Sequence, residues 1–290
     1  MNAFLSLIRD AGGDERTRIC VGLDPEIARL PVCVRGSNPA ERVMSFSTDV
    51  AAATAQFALA FQTKLAIWQA VGAEEQLAKL IAYIQGQLGR PVILDANYGD
   101  VPAISAEYAK AAFDRFDASA VTLNVYHGRD SLVPWLKRGP EKGLFVVCHT
   151  SNDMASDFQD LQVNPVGNGG HLPLFVHLAH QVLQLRSDDS ATIGFVMDEA
   201  FPMHITSLRP QAGDWWWQPS EIPLLIGYSS GQLEELVGRA SFYPFLLSCS
   251  RGIIHASEES DFAQAAANAA EGLRNRVNMV LENKEGCRVG

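Results

Sequence analysis

The sequence predicts an α/β protein with the TIM (β/α)8 barrel fold, and three observations lead to this class. Eight short apolar segments recur along the chain, separated by stretches with apolar residues at helical spacing. Each apolar segment ends in polar or glycine residues, which is typical of buried parallel strands that helices cover. The length of 290 residues suits one barrel, since this fold uses about 250 residues as a single domain. We therefore expect one domain over residues 1–290.

The predicted elements follow one another in chain order. Strands are expected over residues 19–23, 57–61, 92–95, 120–124, 144–149, 193–198, 224–227 and 245–248. These segments are near-continuous runs of apolar and β-branched residues, as strands buried on both faces require. Helices are expected between them, for example over residues 76–88 and 261–279, and residues 1–12 are expected to form an amphipathic first helix.

A doubly wound parallel sheet is the alternative fold for this pattern. A dinucleotide-binding sheet of that kind would carry a Gly-x-Gly-x-x-Gly motif after a strand, and the chain has none. Residues 164–170 and 210–219 are turn-rich loops, but no linker or change of composition divides the chain. The barrel is the favoured prediction, and its catalytic groups would lie at the C-terminal ends of the strands.

The composition argues against several classes of partner. With a formal charge of −10 and no Lys/Arg cluster, the chain lacks the grouped basic side chains that neutralise nucleic-acid phosphates. Its longest apolar stretches, such as residues 144–148, are far shorter than the roughly 20 residues that cross a bilayer, so we expect no membrane contact. The five cysteines are scattered without paired spacing, which suits a reducing cytoplasm. A small-molecule ligand is the remaining expectation.

Two carboxylates mark the end of the third predicted strand. The run from Val92 to Asp100 reads Val-Ile-Leu-Asp-Ala-Asn-Tyr-Gly-Asp, which places Asp95 and Asp100 at the expected catalytic end of the barrel. Carboxylates in a barrel mouth raise each other's pKa and carry a desolvation cost unless cations lie between them. We therefore expect a cation near this pair.

Three candidates could supply that cation. Residues two apart on a strand share a face, so Lys64 points the same way as Gln62 but about 6 to 7 Å nearer the mouth of the barrel. His149, at the end of the fifth predicted strand, can be protonated near neutral pH. A Mg²⁺ ion held by Asp95 and Asp100 is the third candidate, since hard oxygen ligands suit it.

Six motifs at strand ends resemble the second bacterial subfamily of orotidine 5'-phosphate decarboxylases, and the resemblance covers nearly the whole chain. Besides residues 92–100, they are residues 20–25 (Cys-Val-Gly-Leu-Asp-Pro), 121–126 (Val-Thr-Leu-Asn-Val-Tyr), 128–132 (Gly-Arg-Asp-Ser-Leu), 150–152 (Thr-Ser-Asn, with Asp-Phe-Gln at 157–159) and 250–253 (Ser-Arg-Gly-Ile). The resemblance implies a TIM barrel, a phosphorylated small-molecule substrate, a homodimer and no cofactor.

In that family a Lys-Asp-Lys-Asp network acts on the substrate, and this chain departs from it. The first lysine falls on Gln62 and the second on Asn97, whereas the two aspartates correspond to Asp95 and Asp100. The resemblance implies that Asp100 lies near the site of the partner subunit. An amide has no proton to give a carbanion at a useful pKa, and losing general acid catalysis typically costs about 10² to 10⁴ in rate. We therefore expect standard orotidylate decarboxylation to be impaired.

The resemblance also implies residues that bind the substrate. Asp24 would hold a sugar hydroxyl, and Arg251 would grip a phosphate. The other binding residues that it implies lie at strand ends and in the loops that follow them: Asn124, Thr150, Ser151, Asn152, Tyr228 and Gln232. Asp198 ends the sixth predicted strand, where the family has small uncharged residues, and it is predicted as a further binding residue or as a new catalytic or metal-binding carboxylate. The run Trp215–Trp217 is expected to be a packed loop or a subunit contact, with a lid over the substrate as the alternative.

Three functions stay open at this point. The first is a decarboxylase-like lyase for a phosphorylated nucleotide-like or ribosyl substrate, such as specialised nucleoside biosynthesis would use. In it Asp95 and Asp100 act as bases or electrostatic groups, and Lys64 or His149 supplies positive charge. The second is a ligand-binding pseudoenzyme. The third is a metal-dependent sugar-phosphate enzyme of the same barrel suprafamily.

Overall fold

Eight parallel strands close into a barrel in the computed structural model, which describes residues 3–9, 17–164, 171–198, 221–229 and 232–288. The barrel strands are β1 (Ile19–Gly22), β2 (Ala60–Lys64), β3 (Val92–Tyr98), β4 (Ala120–Leu123), β5 (Gly143–Val147), β8 (Thr192–Met197), β9 (Leu224–Gly227) and β10 (Phe245–Cys249). Two short strands, β6 (Gln162–Val163) and β7 (Leu172–Pro173), pair antiparallel outside the barrel. Since β10 pairs with β1, the sheet has no open edge, and the predicted TIM barrel is confirmed.

Helices surround the barrel. They are α1 (Ala3–Arg9), α2 (Pro39–Thr54), α3 (Leu65–Ala70), α4 (Glu74–Gln87), α5 (Pro102–Lys110), α6 (Val133–Leu136), α7 (Leu174–Leu183), α8 (Leu233–Ala240), α9 (Arg251–Ile254) and α10 (Phe262–Arg288). The start of α2 shows how the sequence fixes such a helix. The Asn38 side chain accepts a hydrogen bond from the N–H of Glu41, and Pro39 occupies the first turn, where its missing N–H costs nothing.

Two apolar cores follow from the alternation of side chains along the strands. The larger core lies between the strands and the helices and includes the fully buried Phe46, Trp68 and Trp135. The smaller core lies inside the barrel and contains inward-facing residues such as Ile93 and Phe145. Because successive strand residues point to opposite faces, each strand contributes to both cores.

Helix α1 fills the N-terminal end of the barrel interior. Phe4 and Ile8 are buried among the inward-facing strand residues, and the rings of Phe4 and Phe145 meet edge to face with centroids 6.0 Å apart. The helix expected over residues 1–12 is present over residues 3–9, and the rest of that range lies outside the described residues. The interior of this end of the barrel is therefore packed with apolar side chains.

The second strand begins later than the sequence predicts. The prediction of a strand over residues 57–61 is wrong for its first three residues. Phe57 and Ala58 donate their backbone N–H groups to the carbonyl of Thr54, so they belong to the turn that follows α2. As a result β2 ends at Lys64, and both Gln62 and Lys64 lie within the strand.

The remaining predicted strands agree with the structure within two residues at each end, except that β3 extends from residue 95 to Tyr98. The run Trp215–Trp217 and the loop at 210–219 lie outside the described residues, as does most of the segment 164–170. No helix in the described ranges combines the length and apolar character that crossing a bilayer requires.

A substitution at Gly143 tests the packing at the N-terminal end of the barrel interior, which we call the barrel floor. A Cβ at this position would overlap the Phe4 ring and lie 2.9 Å from the Cβ of Ala120. We expect Gly143→Ala to lower the free energy of unfolding by about 1–3 kcal/mol, because the floor has no space to relax. Gly86→Ala in α4 is the matched control, since a Cβ there meets nothing within 4 Å. Urea unfolding measures the free energy of unfolding of both variants. An equal change in the two variants would contradict this account of the packing.

Candidate active site

A cavity of about 890 Å³ opens at the C-terminal ends of the barrel strands. This is the end at which TIM barrels place their ligands. Among the described residues, its polar lining consists of Asp24, Glu26, Gln62, Lys64, Asp95, Ser151, Tyr228, Ser229, Gln232, Ser248, Ser250 and Arg251. Acidic, amide, hydroxyl and basic groups from both halves of the chain therefore meet in one place.

The polar residues form the layer directly above the apolar floor of the barrel. On β2, Ala60 belongs to the inner core, and Gln62 and Lys64 follow it at spacings of two on the same face. On β3, Ile93 of the inner core is followed in the same way by Asp95. On these two neighbouring strands the inward residues thus change from apolar to polar toward the C-terminal end, where Lys64 pairs with Asp95.

Asp95 is held by hydrogen bonds from two neighbouring strands. The Gln62 Nε2 donates to Asp95 Oδ2 at 2.9 Å, and the Thr122 hydroxyl donates to Asp95 Oδ1 at 2.7 Å. The Ser248 hydroxyl donates in turn to Gln62 Oε1 at 2.5 Å. A lysine at position 62 could donate to Asp95 but could not accept from Ser248. Gln62 and Ser248 therefore form a matched pair that orients the carboxylate.

Lys64 lies between two buried carboxylates. Its Nζ is 3.2 Å from Asp24 Oδ2 and 3.4 Å from Asp95 Oδ2, and its backbone N–H donates to Asp24 Oδ1 at 3.1 Å. Half of the Lys64 side chain is exposed, whereas the two carboxylate side chains are about nine-tenths buried. The sequence predicts that Lys64, two residues beyond Gln62 on the same face of the strand, could supply the cation for the carboxylates. In the structure its ammonium bridges two of them.

The pKa shifts of these groups follow from the same contacts. Burial disfavours the ammonium, but the carboxylates of Asp24 and Asp95 outweigh it, so the pKa of Lys64 is raised and the side chain stays cationic. Burial raises the pKa of Asp24, and the nearby Asp95 adds to this, while Lys64 opposes both. One ammonium thus compensates two carboxylates only in part.

Asn97 stands apart from this network. Its backbone has φ of 47°, a left-handed conformation that asparagine adopts more readily than most residues. Its N–H and that of Ala96 donate to the Thr122 hydroxyl oxygen at 2.9 and 3.0 Å. The side chain of Asn97 is exposed and does not line the cavity. Asp100 is half-buried outside the lining, and its carboxylate accepts from the N–H of Val101 at 2.7 Å.

The part of the cavity at the ends of β9 and β10 carries groups suited to an anion. Arg251 is exposed there, and the Ser250 hydroxyl is buried without a hydrogen-bond partner. A Cβ on Gly22 would lie 2.7 Å from the Cβ of Ser250, so only glycine fits next to the turn at Ser250 that follows β10. A Cβ on Gly227 would meet nothing within 4 Å, so the cavity is open in front of it. Tyr228 and Gln232, both predicted from the sequence, line the same region.

His149 and Asp198 form a buried pair outside the cavity lining. The His149 Nδ1 contacts the Asp198 carboxylate, its Nε2 is 3.2 Å from Asp160 Oδ1, and the ring meets Phe175 edge to face. Burial opposes the charge on the imidazole, but Asp198 and Asp160 outweigh it, so the pKa of His149 is raised. The pair connects the ends of β5 and β8 to the loop that carries Asp160.

The other predicted binding residues lie around the rim. Ser151 lines the cavity, whereas Thr150 and Asn152 hydrogen-bond to each other at 2.6 Å beside it. Asn124 is exposed and accepts from the N–H of Tyr126 at 3.0 Å. No group of three or more His, Cys, Asp or Glu side chains in the described ranges is arranged to hold a metal ion, so a Mg²⁺ ion on Asp95 and Asp100 stays a prediction.

Sequence reasoning missed Glu26, Thr122 and Ser248. The alternation of inward residues could have found the last two, because each lies two residues beyond an inner-core residue, Ala120 and Leu246 respectively. No comparable signal marks Glu26, which reaches the cavity from the loop after β1.

Comparison with known proteins assigns this architecture to a family. The model of the orotidine 5'-phosphate decarboxylase / HUMPS family matches residues 17–266. The chain belongs to this family. The orotidine 5'-phosphate decarboxylase of Ralstonia nicotianae is 39% identical over 273 residues, covering 90% of this chain and 92% of that protein. The enzyme of the same name from Janthinobacterium sp. is 33% identical over 285 residues, covering 96% and 99%.

Solved structures agree with this assignment. The structure of Leishmania donovani OMP decarboxylase superposes with a TM-score of 0.74 at 27% identity, covering 96% of this chain and 98% of that one. This chain has Asp95 and Asp100 on either side of Asn97, and a second amide at Gln62. The cation beside Asp95 is Lys64.

Replacing Lys64 tests the bridging ammonium. Lys64→Met leaves the buried carboxylates of Asp24 and Asp95 without their cation, and we expect the free energy of unfolding to fall by about 1–3 kcal/mol at pH 8. A carboxyl whose pKa is raised by folding destabilises the native state above that pKa. Protonation relieves this cost, so the deficit relative to the unaltered chain shrinks as pH falls from 8 to 5.

Lys110→Met is the matched control, because it removes an exposed lysine that pairs only with Glu107 on the same helix. Chemical denaturation at both pH values measures the two variants. Equal deficits at pH 8 and pH 5 for Lys64→Met would show that the lysine does not compensate the carboxylates.

Proposed function

We propose that this protein is a decarboxylase-like lyase for a phosphorylated, nucleotide-like or ribosyl substrate, with catalysis that differs from that of the relatives named above. The observation that carries the proposal is the Lys64 ammonium between Asp24 and Asp95 in the cavity. We call this part of the cavity its ring end, because the ring of the substrate would lie there. Family membership supports decarboxylase-like chemistry, and the substitutions at positions 62 and 97 support a change in how it is carried out.

The two ends of the cavity suit a sugar phosphate. The Arg251 guanidinium and the unpartnered Ser250 hydroxyl can take the phosphate oxygens. Asp24, held by Lys64, has the acceptor oxygens that a sugar hydroxyl needs. Asp95 is oriented toward the cavity by Gln62 and Thr122, so it can crowd a leaving carboxylate. Lys64 then serves as both counter-ion and proton donor.

The proton donor explains why orotidylate turnover should be slow. A lysine whose pKa is raised by two carboxylates gives up its proton reluctantly, and the amides of Gln62 and Asn97 give up none. Positive charge is also reduced from two family lysines to one. Both effects weaken stabilisation of a carbanion on the ring.

A second candidate, a ligand-binding pseudoenzyme, is favoured by one observation. Both Asp95 oxygens already have partners, Gln62 and Lys64 on one and Thr122 on the other. A carboxylate bound in this way can orient a ligand without reacting. A thermal-shift screen of nucleotides and sugar phosphates, with and without Mg²⁺, combined with the turnover assay below, separates the two candidates. Loss of turnover on chelation would instead support metal-dependent chemistry.

The turnover assay uses purified protein with orotidine 5'-phosphate and follows CO₂ release. We expect a rate at least about 10²-fold below that of a family member with both lysines, since general acid catalysis is lost. Asn97→Lys should raise the rate, and Asp95→Asn should remove what remains. Rapid turnover by the unaltered chain, or turnover indifferent to Asp95→Asn, would contradict the proposal.

We further propose that the protein works as a cytoplasmic homodimer in which Asp100 lies near the partner's site. Cys20, Cys33, Cys148 and Cys249 form no disulfide bond among the described residues, as expected in a reducing compartment. Apolar side chains are exposed in α5 and in the segments that follow β3, β4 and β5, and two of them, Val101 and Ile104, are close in sequence to Asp100; the others are Tyr126, Met154, Phe158 and Leu161. A second copy of the chain would cover this patch and bring Asp100 toward the neighbouring cavity.

Light scattering after gel filtration tests the dimer. The unaltered chain should have about twice the mass of 31.6 kDa. Tyr126→Glu combined with Phe158→Glu should yield monomers, because two charges would be buried in the interface. Phe242→Glu is the control, since Phe242 is exposed near the other end of the barrel. A dimer that survives the double substitution, or a monomeric unaltered chain, would contradict this arrangement.

A further inference from the structure

The charge of the cavity is unbalanced at its ring end. Among the described residues that line it, Asp24, Glu26 and Asp95 are acidic, and Lys64 and Arg251 are basic. Arg251 follows β10, where the proposed function places the phosphate, whereas Lys64 contacts both Asp24 and Asp95. The group formed by Asp24, Lys64 and Asp95, called here the acidic triad, therefore has an excess of one negative charge.

In the part of the chain that the structure describes, the groups around the acidic triad do not cancel this charge. Gln62, Thr122 and Ser248 are neutral and bind Asp95 or each other. His149, which could carry a proton, contacts Asp198 and Asp160 outside the cavity lining. Burial raises the pKa of Asp24, Lys64 opposes this shift only in part, and the charge of Asp95 adds to it.

We propose that the ligand itself supplies the missing positive charge, and that it is a 5'-phosphorylated riboside of a cationic nitrogen heterocycle. This inference rests on the proposed function for the binding of ribose and phosphate, and it names the head group. Once the ring carboxylate has left as CO₂, a ring cation next to Asp95 and Asp24 gives two carboxylates and two cations in the same volume. A neutral ring leaves the imbalance, and a carboxylate on a neutral ring increases it.

A cationic ring also accounts for the absent lysines. When a carboxylate leaves a carbon adjacent to a positive ring nitrogen, the bond between the ring carbon and the carboxylate carbon breaks. CO₂ departs, and the electron pair stays on the ring carbon, next to the positive nitrogen. The Lys64 ammonium then gives the proton that forms the new C–H bond. Because half of the Lys64 side chain is exposed, water can return that proton.

Isothermal titration calorimetry with nucleotides that share a 5'-phosphate and ribose tests the head group. The probes are nicotinamide mononucleotide (a cationic ring), uridine 5'-phosphate (a neutral ring) and orotidine 5'-phosphate (a neutral ring with a carboxylate). We expect the cationic ring to bind at least about tenfold more tightly than uridine 5'-phosphate, and orotidine 5'-phosphate to bind more weakly than both, since the charges are only a few ångströms apart.

Two variants test whether the preference for a cationic ring arises from the acidic triad or from the net charge of the protein. Asp95→Asn should reduce the preference for the cationic ring about tenfold, because one carboxylate of the triad becomes neutral. Asp117→Asn removes the same charge at the other end of the barrel, where Asp117 is exposed and has φ of 50°, and it should leave the preference unchanged.

The outcomes distinguish this inference from the proposed function. Equal or tighter binding of uridine or orotidine 5'-phosphate would overturn the cationic head group while leaving nucleotide binding intact. A preference for the cationic ring that survives Asp95→Asn would overturn the role of the acidic triad. Binding of none of the probes would overturn both proposals.

Discussion

The Lys64 ammonium between Asp24 and Asp95 is the contact on which the rest of the candidate site depends. Two carboxylates buried this closely are costly unless a cation lies between them. Lys64 meets this need from one strand, while Gln62 and Thr122 fix the orientation of Asp95 from either side. Because one cation is shared by two acids, its contacts set both the stability of the site and its remaining negative charge.

The barrel makes this contact available through simple geometry. Side chains alternate along each strand, so the inward residue two places after Ala60 is Gln62 and the next is Lys64. The parallel pairing places Lys64 beside Asp95 on the neighbouring strand. Below this level, Phe4 and the inner core fill the barrel with apolar groups. The charged groups are therefore held at one depth, where water and a ligand can reach them.

Much of this arrangement could be predicted from residues that are close in sequence. The eight strands follow from local apolar runs, and the shared face of Gln62 and Lys64 follows from the period of a strand. The contact between Ser248 and Gln62 joins residues 186 positions apart, so no local pattern shows it. The predicted start of β2 is wrong because the N–H groups of Phe57 and Ala58 donate to the carbonyl of Thr54 in the turn that follows α2, a local backbone arrangement that the apolar character of these residues does not indicate.

The most direct test of this account is the pKa of the Lys64 side chain, measured by NMR titration of its ammonium group. The account predicts a value above that of an ordinary lysine in the unaltered chain and a decrease in Asp95→Asn, since one of the two carboxylates becomes neutral. A value at or below the ordinary one, unchanged by the substitution, would show that Lys64 does not bridge the two acids.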